Sequence, residues 1–224
     1  MITVHHLNNS RSQRILWLLE ELQLEYQIKH YQRDPETMLA PDALREVHPL
    51  GKSPVLTEDD LTIAESGAII DYLIERHGQG RLTPASGGSD WLLYRYWMHY
   101  AEGSAMPPLL LKLIFDRLSQ PPMPLLMRPL AGAIAAGVKA KFITPQIERH
   151  LAFQEQHLQQ HRWFAGDEFS AADIQMSFPV EASYSRDVLN EDEHPALLEY
   201  LQRIHDREAY QKALERGGPY ELID

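Results

Sequence analysis

The chain has 224 residues, with 21 Lys and Arg, 32 Asp and Glu, and no cysteine. The length allows one large domain or two small ones, and the missing cysteine excludes disulfides, thiolate metal sites and a protein thiol as nucleophile. The formal charge of −11 argues against nucleic acid and anionic membrane surfaces as partners, because both require a basic surface.

The first third of the chain predicts short strands that alternate with helices. Ile2 and Val4 alternate with polar residues, as in a strand. Apolar residues at i, i+3, i+4 and i+7 then predict one buried face of a helix: Ile15, Leu18, Leu19 and Leu22. A strand, an antiparallel hairpin and a second helix are expected next, over residues 25–31, 55–64 and 66–77. The predicted order is therefore βαβ, an irregular link, then ββα.

The rest of the chain predicts helices only. Gly, Pro and Ser concentrate over residues 78–89, which predicts a linker. Helical periodicity follows over 91–101, 131–160, 171–177 and 195–207, and the pair Pro107 and Pro108 predicts a kink or an interruption after Met106. We therefore expect an α/β domain over residues 1–79, a linker over 80–90 and an all-α domain over 91–224.

Two observations bear on location. The first ten residues lack the basic and apolar regions of a secretory signal. The most apolar stretches, near residues 109–115 and 125–138, are interrupted by charged residues and are shorter than the roughly 20 residues of a membrane span. A cytoplasmic protein without membrane association is the expectation.

A segment rich in hydroxyl groups, residues 9–14, connects the first strand to the first helix. Ser10 and Ser12 lie there beside unpaired backbone N–H groups and the positive end of the helix dipole. Such a site holds an anion or stabilises a nearby thiolate. A plain N-cap role for either serine explains the same residues and, for this segment alone, is the favoured interpretation.

Ser53 and Pro54 stand immediately before the hairpin. A cis bond between them would turn the backbone groups of Ser53 outward, where they can pair with an extended peptide ligand. In general a trans proline at a strand edge is far more frequent. These two residues leave both arrangements open.

Glu65 and Ser66 stand where the hairpin meets the next helix. The Ser66 hydroxyl and backbone N–H can grip a carboxylate, and Glu65 can pair with an ammonium group beside it. An α-amino acid head group carries both charges at that separation. A simple helix cap at Ser66 is an equally good interpretation.

Two further patterns are interpreted as structural. Residues 170–173 form an S-x-x-D capping box, flanked by Phe169 and Ile174 as a hydrophobic staple. His157 and His161 share a helical face at i, i+4, but neither an H-E-x-x-H pattern nor a third ligand accompanies them. No metal site is expected.

In this order the features resemble the cytosolic glutathione transferases over essentially the whole chain. The resemblance is carried by Ser10 with Arg14 and by residues 51–56, 65–69 and 169–173, and residues 97–104 are similar to bacterial and fungal members near the yeast-type branch. It implies a serine-type enzyme with a thioredoxin-like α/β N-terminal domain, an all-α C-terminal domain and a homodimeric assembly.

The resemblance also implies roles for residues that bind glutathione. Ser53 and Pro54 match the cis-proline turn that pairs with the cysteinyl backbone, and Glu65 and Ser66 match the pair that holds the γ-glutamyl head. Two residues match positions that contact the glycyl carboxylate: His48 and Lys52.

Ser10 matches the hydroxyl that activates the thiol, with Ser12 and Asn9 as alternative donors. The second substrate is expected near an aromatic, apolar set of residues that is equally compatible with ordinary core packing: Tyr96, Tyr100, Met106 and Pro107. Glu102 is expected to reach the γ-glutamyl ammonium across the dimer interface.

The predicted function is that of a detoxifying glutathione transferase. Glutathione, the co-substrate, would attack a hydrophobic electrophile or a peroxide, without a metal. Two alternatives remain: a glutathione-dependent disulfide reductase or peroxidase on the same fold, and a non-enzymatic protein that binds glutathione or another partner.

Overall fold

The computed structural model describes residues 1–35, 37 and 39–222. The first 77 residues contain, within that description, four strands and three helices: β1 Ile2–Leu7, α1 Ser12–Glu21, β2 Tyr26–Tyr31, α2 Ala43–Val47, β3 Val55–Glu58, β4 Leu61–Ala64 and α3 Ser66–His77. The strands form one mixed sheet in the order β2-β1-β3-β4. β1 is parallel to β2 and antiparallel to β3, and β3 is antiparallel to β4. The predicted βαβ–ββα order and the thioredoxin-like class are confirmed.

The remaining elements are helical. They are α4 Ser89–Tyr100, α5 Met106–Arg117, α6 Arg128–Val138, α7 Thr144–Leu158, α8 Ala171–Tyr184, α9 Pro195–His205 and α10 Glu208–Gly217, with a 3-10 turn at Leu125–Met127. The all-α class of this half is confirmed, although α10 was not predicted. Among the described residues, no helix is long and apolar enough to cross a membrane.

Helix α1 is the central element of the molecule. All of its first eight residues are buried, including the predicted apolar face from Ile15 to Leu19. One side packs on β1 and α3, and the other side contacts α8 and α10. Polar residues at the start of α1 are therefore buried as well, which places them at the junction of the two halves of the chain.

The predicted helix interruption after Met106 is wrong. α4 passes into α5 through a π turn, Ala101–Ala105, in which the N–H of Met106 bonds to the carbonyl of Ala101. Pro107 and Pro108 then lie in the first turn of α5, where a missing N–H is tolerated. A second π turn, Lys139–Ile143, precedes Pro145 of α7 in the same way.

Helix α8 is longer than predicted. It continues past Ser177 and through Pro179 to Tyr184, and every residue from Ala171 to Ser183 is buried. Packing on all sides thus outweighs the hydrogen bond that proline removes. Ser170 caps the helix and forms the predicted capping box with Asp173, which confirms the structural interpretation of this motif.

Candidate active site

Three segments meet at the end of strand β1. His5 pairs with Val55 across β1 and β3, which brings the turn before β3 to the end of β1. The Ser53 hydroxyl donates to the His5 carbonyl at 2.8 Å and accepts the Leu7 N–H at 3.2 Å. The Ser53–Pro54 bond is cis. The turn that was predicted to bind a peptide is therefore fixed beside the loop that carries Ser10.

The buried guanidinium of Arg14 joins the third segment to this loop. Its side chain is 1% exposed, and Nη2 donates to the Ser66 hydroxyl at 2.8 Å and to Glu102 at 2.6 Å. Nη1 donates to the Gln175 carbonyl at 2.6 Å. The two oxygens of the Glu102 carboxylate also share the N–H of Arg11 Nε, at 2.8 and 3.0 Å. Arg14 thus links α1, α3, α8 and the first π turn.

Electrostatics at this junction favour a bound anion. Burial raises the pKa of Glu102, but Arg14 and Arg11 outweigh burial and hold that pKa below its usual range. Two guanidinium groups face one carboxylate, so the cluster is locally positive although the chain carries −11. The N-terminus of α1 adds positive potential at the same place.

Ser10 and Ser12 form a buried pair at the start of α1. Their hydroxyl oxygens are 2.7 Å apart, and the N–H of Ser12 donates to Ser10 Oγ at 3.2 Å. Ser12 Oγ also lies 2.9 Å from Nδ1 of His6 and 3.3 Å from the Leu7 carbonyl. The N-cap position itself is Arg11, which makes no side-chain capping bond. Ser10 therefore satisfies one free N–H of the helix without being its N-cap residue.

His6 is held neutral beneath the two serines. Burial, followed by the charge of His30, lowers the pKa of His6 to about 4, and a hydrogen bond to the Gly217 backbone offsets only part of this effect. His6 lies on the same face of β1 as Ile2 and Val4, because strand side chains alternate. That alternation is the sequence signal for a buried His6, which the sequence patterns above did not single out. No group of residues suited to hold a metal occurs in the described part of the chain.

The structure does not show the simple helix cap at Ser66 that the sequence allowed. Glu65 occupies the N-cap position of α3 and Ser66 is the first helical residue, so the expectation that Ser66 caps the helix is wrong. Instead, the Ser66 hydroxyl accepts from Arg14. Glu65 is exposed and has φ 72° and ψ 122°, a strained conformation for a residue with a Cβ that is typical of functional sites.

His48 and Lys52 flank the turn that leads to Ser53. His48 is half-buried at the C-terminal end of α2, and Lys52 is exposed. Gly51 between them has φ 57°, and a Cβ there would come within 2.6 Å of the Arg45 side chain. The requirement for glycine fixes the path of this turn and hence the direction in which Lys52 leaves the chain.

The predicted aromatic residues of the helical half line a cleft whose lining includes neither Ser10 nor Ser12. Tyr100 is buried, and its hydroxyl is 2.5 Å from His150 Nδ1. It lines a cleft of about 440 Å³ formed by residues of α4, α7 and the second π turn, including Tyr96, Phe142 and Phe153. Met106 is 6% exposed and belongs to the core. Glu102, by contrast, is joined to the serine segment through Arg11 and Arg14.

Asn9, the alternative donor, has another partner. Its side-chain carbonyl accepts the N–H of Glu221 at 2.9 Å, and the neighbouring Tyr220 donates to the buried Glu181 at 2.9 Å. The segment after α10 is thus fastened to the loop that carries Ser10. The ion pairs of Arg11 with Glu102 and the contact of Asn9 with Glu221 are long-range, and no local pattern in the sequence signals them.

Sequence comparisons match both halves of the chain. Residues 10–76 match the family described as "Glutathione S-transferase, N-terminal domain", and residues 137–208 match "Glutathione S-transferase, C-terminal domain". Glutathione S-transferase 3 of Schizosaccharomyces pombe is 36% identical over 216 residues, covering 96% of this chain and 88% of that protein.

Solved structures show the same fold. A glutathione S-transferase from Actinobacillus pleuropneumoniae is 31% identical, with a TM-score of 0.80, and the match covers 100% of this chain and 99% of that chain. A sphingomonad glutathione S-transferase complexed with glutathione is 22% identical, with a TM-score of 0.72 and coverage of 96% and 98%.

Proposed function

Because the chain belongs to the glutathione S-transferase family, we propose that it binds glutathione where β1, the Ser53–Pro54 turn and α3 meet. There it activates the thiol for attack on a hydrophobic electrophile. The observation that supports this proposal best is the convergence of the three segments: Ser53 is bonded to the end of β1 and Ser66 is bonded to Arg14 of α1.

Each part of glutathione meets matching chemistry at this site. The outward backbone of Ser53 pairs with the cysteinyl residue as an added strand does. Glu65 pairs with the γ-glutamyl ammonium, and Ser66 at the N-terminus of α3 receives the adjacent carboxylate. Lys52 and His48 contact the glycyl carboxylate. Because the chain as a whole is acidic, these local groups must supply the attraction for an anionic tripeptide.

Activation is assigned to the Ser10 hydroxyl. Its O–H donates to the thiolate sulfur, and such a charge-assisted hydrogen bond is stronger than a neutral one. The thiol proton leaves to solvent, the sulfur bonds to the electrophilic carbon, and the leaving group departs with its electron pair. With a hydroperoxide, the sulfur bonds to the terminal oxygen, the O–O bond breaks and the other oxygen leaves as an alkoxide that takes a proton from solvent; the sulfenic acid of glutathione then condenses with a second glutathione to the disulfide and water. The chain has no cysteine, so the reactive sulfur arrives with the ligand.

The Ser10→Ala variant tests this assignment. Loss of one charge-assisted hydrogen bond lowers kcat/KM for conjugation of an activated aryl chloride by roughly 10- to 100-fold. The dissociation constant of glutathione, measured by calorimetry, stays within about twofold. Full turnover in Ser10→Ala together with lost turnover in Ser12→Ala would transfer the role to Ser12. No binding of glutathione at millimolar concentration would overturn the proposal.

We further propose that the two domains have separate roles and that the chain forms a homodimer. Residues 1–79 bind glutathione, residues 80–90 connect the two domains, and residues 91–224 receive the second substrate and form the subunit interface. Exposed apolar side chains on α4, α7 and the second π turn support the interface: Leu92, Tyr96, Phe142 and Phe153. The cleft that contains Tyr96 and Tyr100 adjoins a second one lined by Leu92 and His99, so these residues form one continuous surface.

A further inference from the structure

The position of one proton decides what Ser10 offers to a ligand. A serine hydroxyl has a single O–H and two lone pairs, so the 2.7 Å contact between Ser10 and Ser12 carries one proton only. Either Ser10 donates to Ser12, or Ser12 donates to Ser10. These two arrangements differ in whether Ser10 keeps its proton free for a thiolate.

The surroundings of Ser12 decide between them. Ser12 Oγ has two inward acceptors, His6 Nδ1 at 2.9 Å and the Leu7 carbonyl at 3.3 Å. His6 is neutral, and the tautomer with its proton on the other ring nitrogen leaves Nδ1 as an acceptor for the Ser12 hydroxyl. With the proton on Nδ1 instead, the ring would donate to Ser12, whose own proton could then go to the Leu7 carbonyl or to Ser10. We assign the first tautomer, in which the Ser12 proton points inward to His6.

Ser10 must then donate to Ser12. Its oxygen already accepts the Ser12 N–H at 3.2 Å, and Ser12 Oγ is the acceptor that the structure places within 2.7 Å of its hydroxyl. Both serines are buried, so water does not readily replace this bond. In the free protein, Ser10 therefore presents a lone pair to an incoming S–H group, and its proton faces away from the ligand.

We propose that Ser12 is a positioning residue that holds the Ser10 proton and competes for it with the bound thiolate. Formation of the thiolate requires the Ser10 O–H to rotate from Ser12 to sulfur, so the hydrogen bond to Ser12 is lost as the bond to sulfur forms. Ser12 thereby keeps the thiol less acidic than Ser10 alone would make it. This inference rests on the proposed function, since it requires a thiol bound at Ser10.

The Ser12→Ala variant tests the proposal, because loss of this hydroxyl is expected to lower the pKa of the bound thiol, whereas loss of a donor to sulfur would raise it. Alanine keeps the backbone N–H that fixes Ser10 Oγ but removes the competing oxygen. The pKa of bound glutathione, followed by the ultraviolet absorbance of the thiolate in the binary complex, falls by roughly 0.5–1 unit. At a pH below that pKa, kcat/KM for an activated aryl chloride rises roughly three- to tenfold.

The controls separate this inference from the proposed function. Ser183→Ala removes another buried hydroxyl, which donates to the Pro179 carbonyl, and leaves the thiol pKa unchanged. Ser10→Ala raises the thiol pKa; if it does not, the proposed role of Ser10 fails. An unchanged thiol pKa in Ser12→Ala, with a raised one in Ser10→Ala, overturns the proposed competition by Ser12 but leaves the proposed role of Ser10 intact. A raised thiol pKa in Ser12→Ala overturns it as well and makes Ser12 the donor to sulfur.

Discussion

Arg14 shows how a single buried charge organises the site. The two terminal nitrogens of its guanidinium donate to a hydroxyl, a backbone carbonyl and the Glu102 carboxylate, each from a different part of the chain. Removing one member of a buried ion pair costs far more than the pair contributes, because the remaining charge loses both water and partner. Glu102 is therefore required for the fold of this junction, whatever further contact it makes in a dimer.

Glu102→Gln is expected to lower the free energy of unfolding by about 2–4 kcal/mol, a discounted value because the Glu102 side chain is 34% exposed. The midpoint of urea unfolding measures this change. The matched control is Glu199→Gln, which breaks the surface pair with Arg203 at 3.6 Å, where Glu199 is 74% exposed, and leaves the midpoint unchanged. Equal midpoints for the two variants would contradict the structural role of Glu102.

Sequence patterns single out candidate site residues but do not predict their contacts. Ser10, Ser53 and Ser66 are recognisable because their local motifs carry turn and helix-start chemistry. Their partners are not: Arg14 meets Gln175 across 161 positions. The bond between Ser66 and Arg14 was not predicted for this reason, since a preferred cap residue at a helix start gives no sign of a distant guanidinium.

At the level of elements, helix α3 is fastened to strand β3 through one carboxylate. Glu58 accepts hydrogen bonds from Tyr72 at 2.7 Å and from His77 at 3.1 Å. Burial raises the pKa of Glu58, but these two bonds outweigh burial and hold the pKa below its usual range. The contact keeps the C-terminal half of α3 on the sheet while its N-terminus lies at the proposed glutathione site.

The lowered pKa of Glu58 makes this contact sensitive to acid. A carboxyl whose pKa is lower in the folded state stabilises fully above its unfolded pKa, and that contribution is lost as the pH falls through the folded pKa. We expect stability to decline from about pH 5 to pH 3 and Glu58→Gln to flatten this decline. Thermal unfolding midpoints across that range provide the measurement. An equally steep decline in Glu58→Gln would show that other carboxylates dominate.

Helices with regular apolar spacing were predicted well, and helices with proline were not. The α1 and α3 predictions rest on periodic burial against one sheet, which sequence alone displays. The lengths of α5 and α8 depend instead on how Pro107 and Pro179 are accommodated. A π turn precedes Pro107, and burial on every side surrounds Pro179. Both arrangements depend on neighbours distant in the chain.

At the level of the whole molecule, the exposed aromatic surface on α4 and α7 predicts a homodimer that is held together through this surface. A glutamate placed within an apolar interface is buried without a partner, which costs several kcal/mol. Phe142→Glu, at a side chain 57% exposed in one chain, is expected to weaken the dimer at least about 100-fold. Light scattering after size-exclusion chromatography at several concentrations measures the change.

The matched control for this surface is Leu126→Glu, in the turn Leu125–Met127, where the side chain is 96% exposed. It lies outside the aromatic surface and leaves the dimer intact. A monomeric wild type, or a Phe142→Glu variant as dimeric as the control, would remove the proposed interface.

The contact between Asn9 and Glu221 has a consequence for biosynthesis. These residues are 212 positions apart, and α1, which follows Asn9, is covered by α8 and α10. A ribosome delivers Asn9 first and Glu221 some 10–40 s later, at about 5–20 residues per second. During that interval the emerging α/β half exposes the apolar side of α1. This half depends on the last helices for its cover, and the nascent chain has to be kept from aggregating until they arrive.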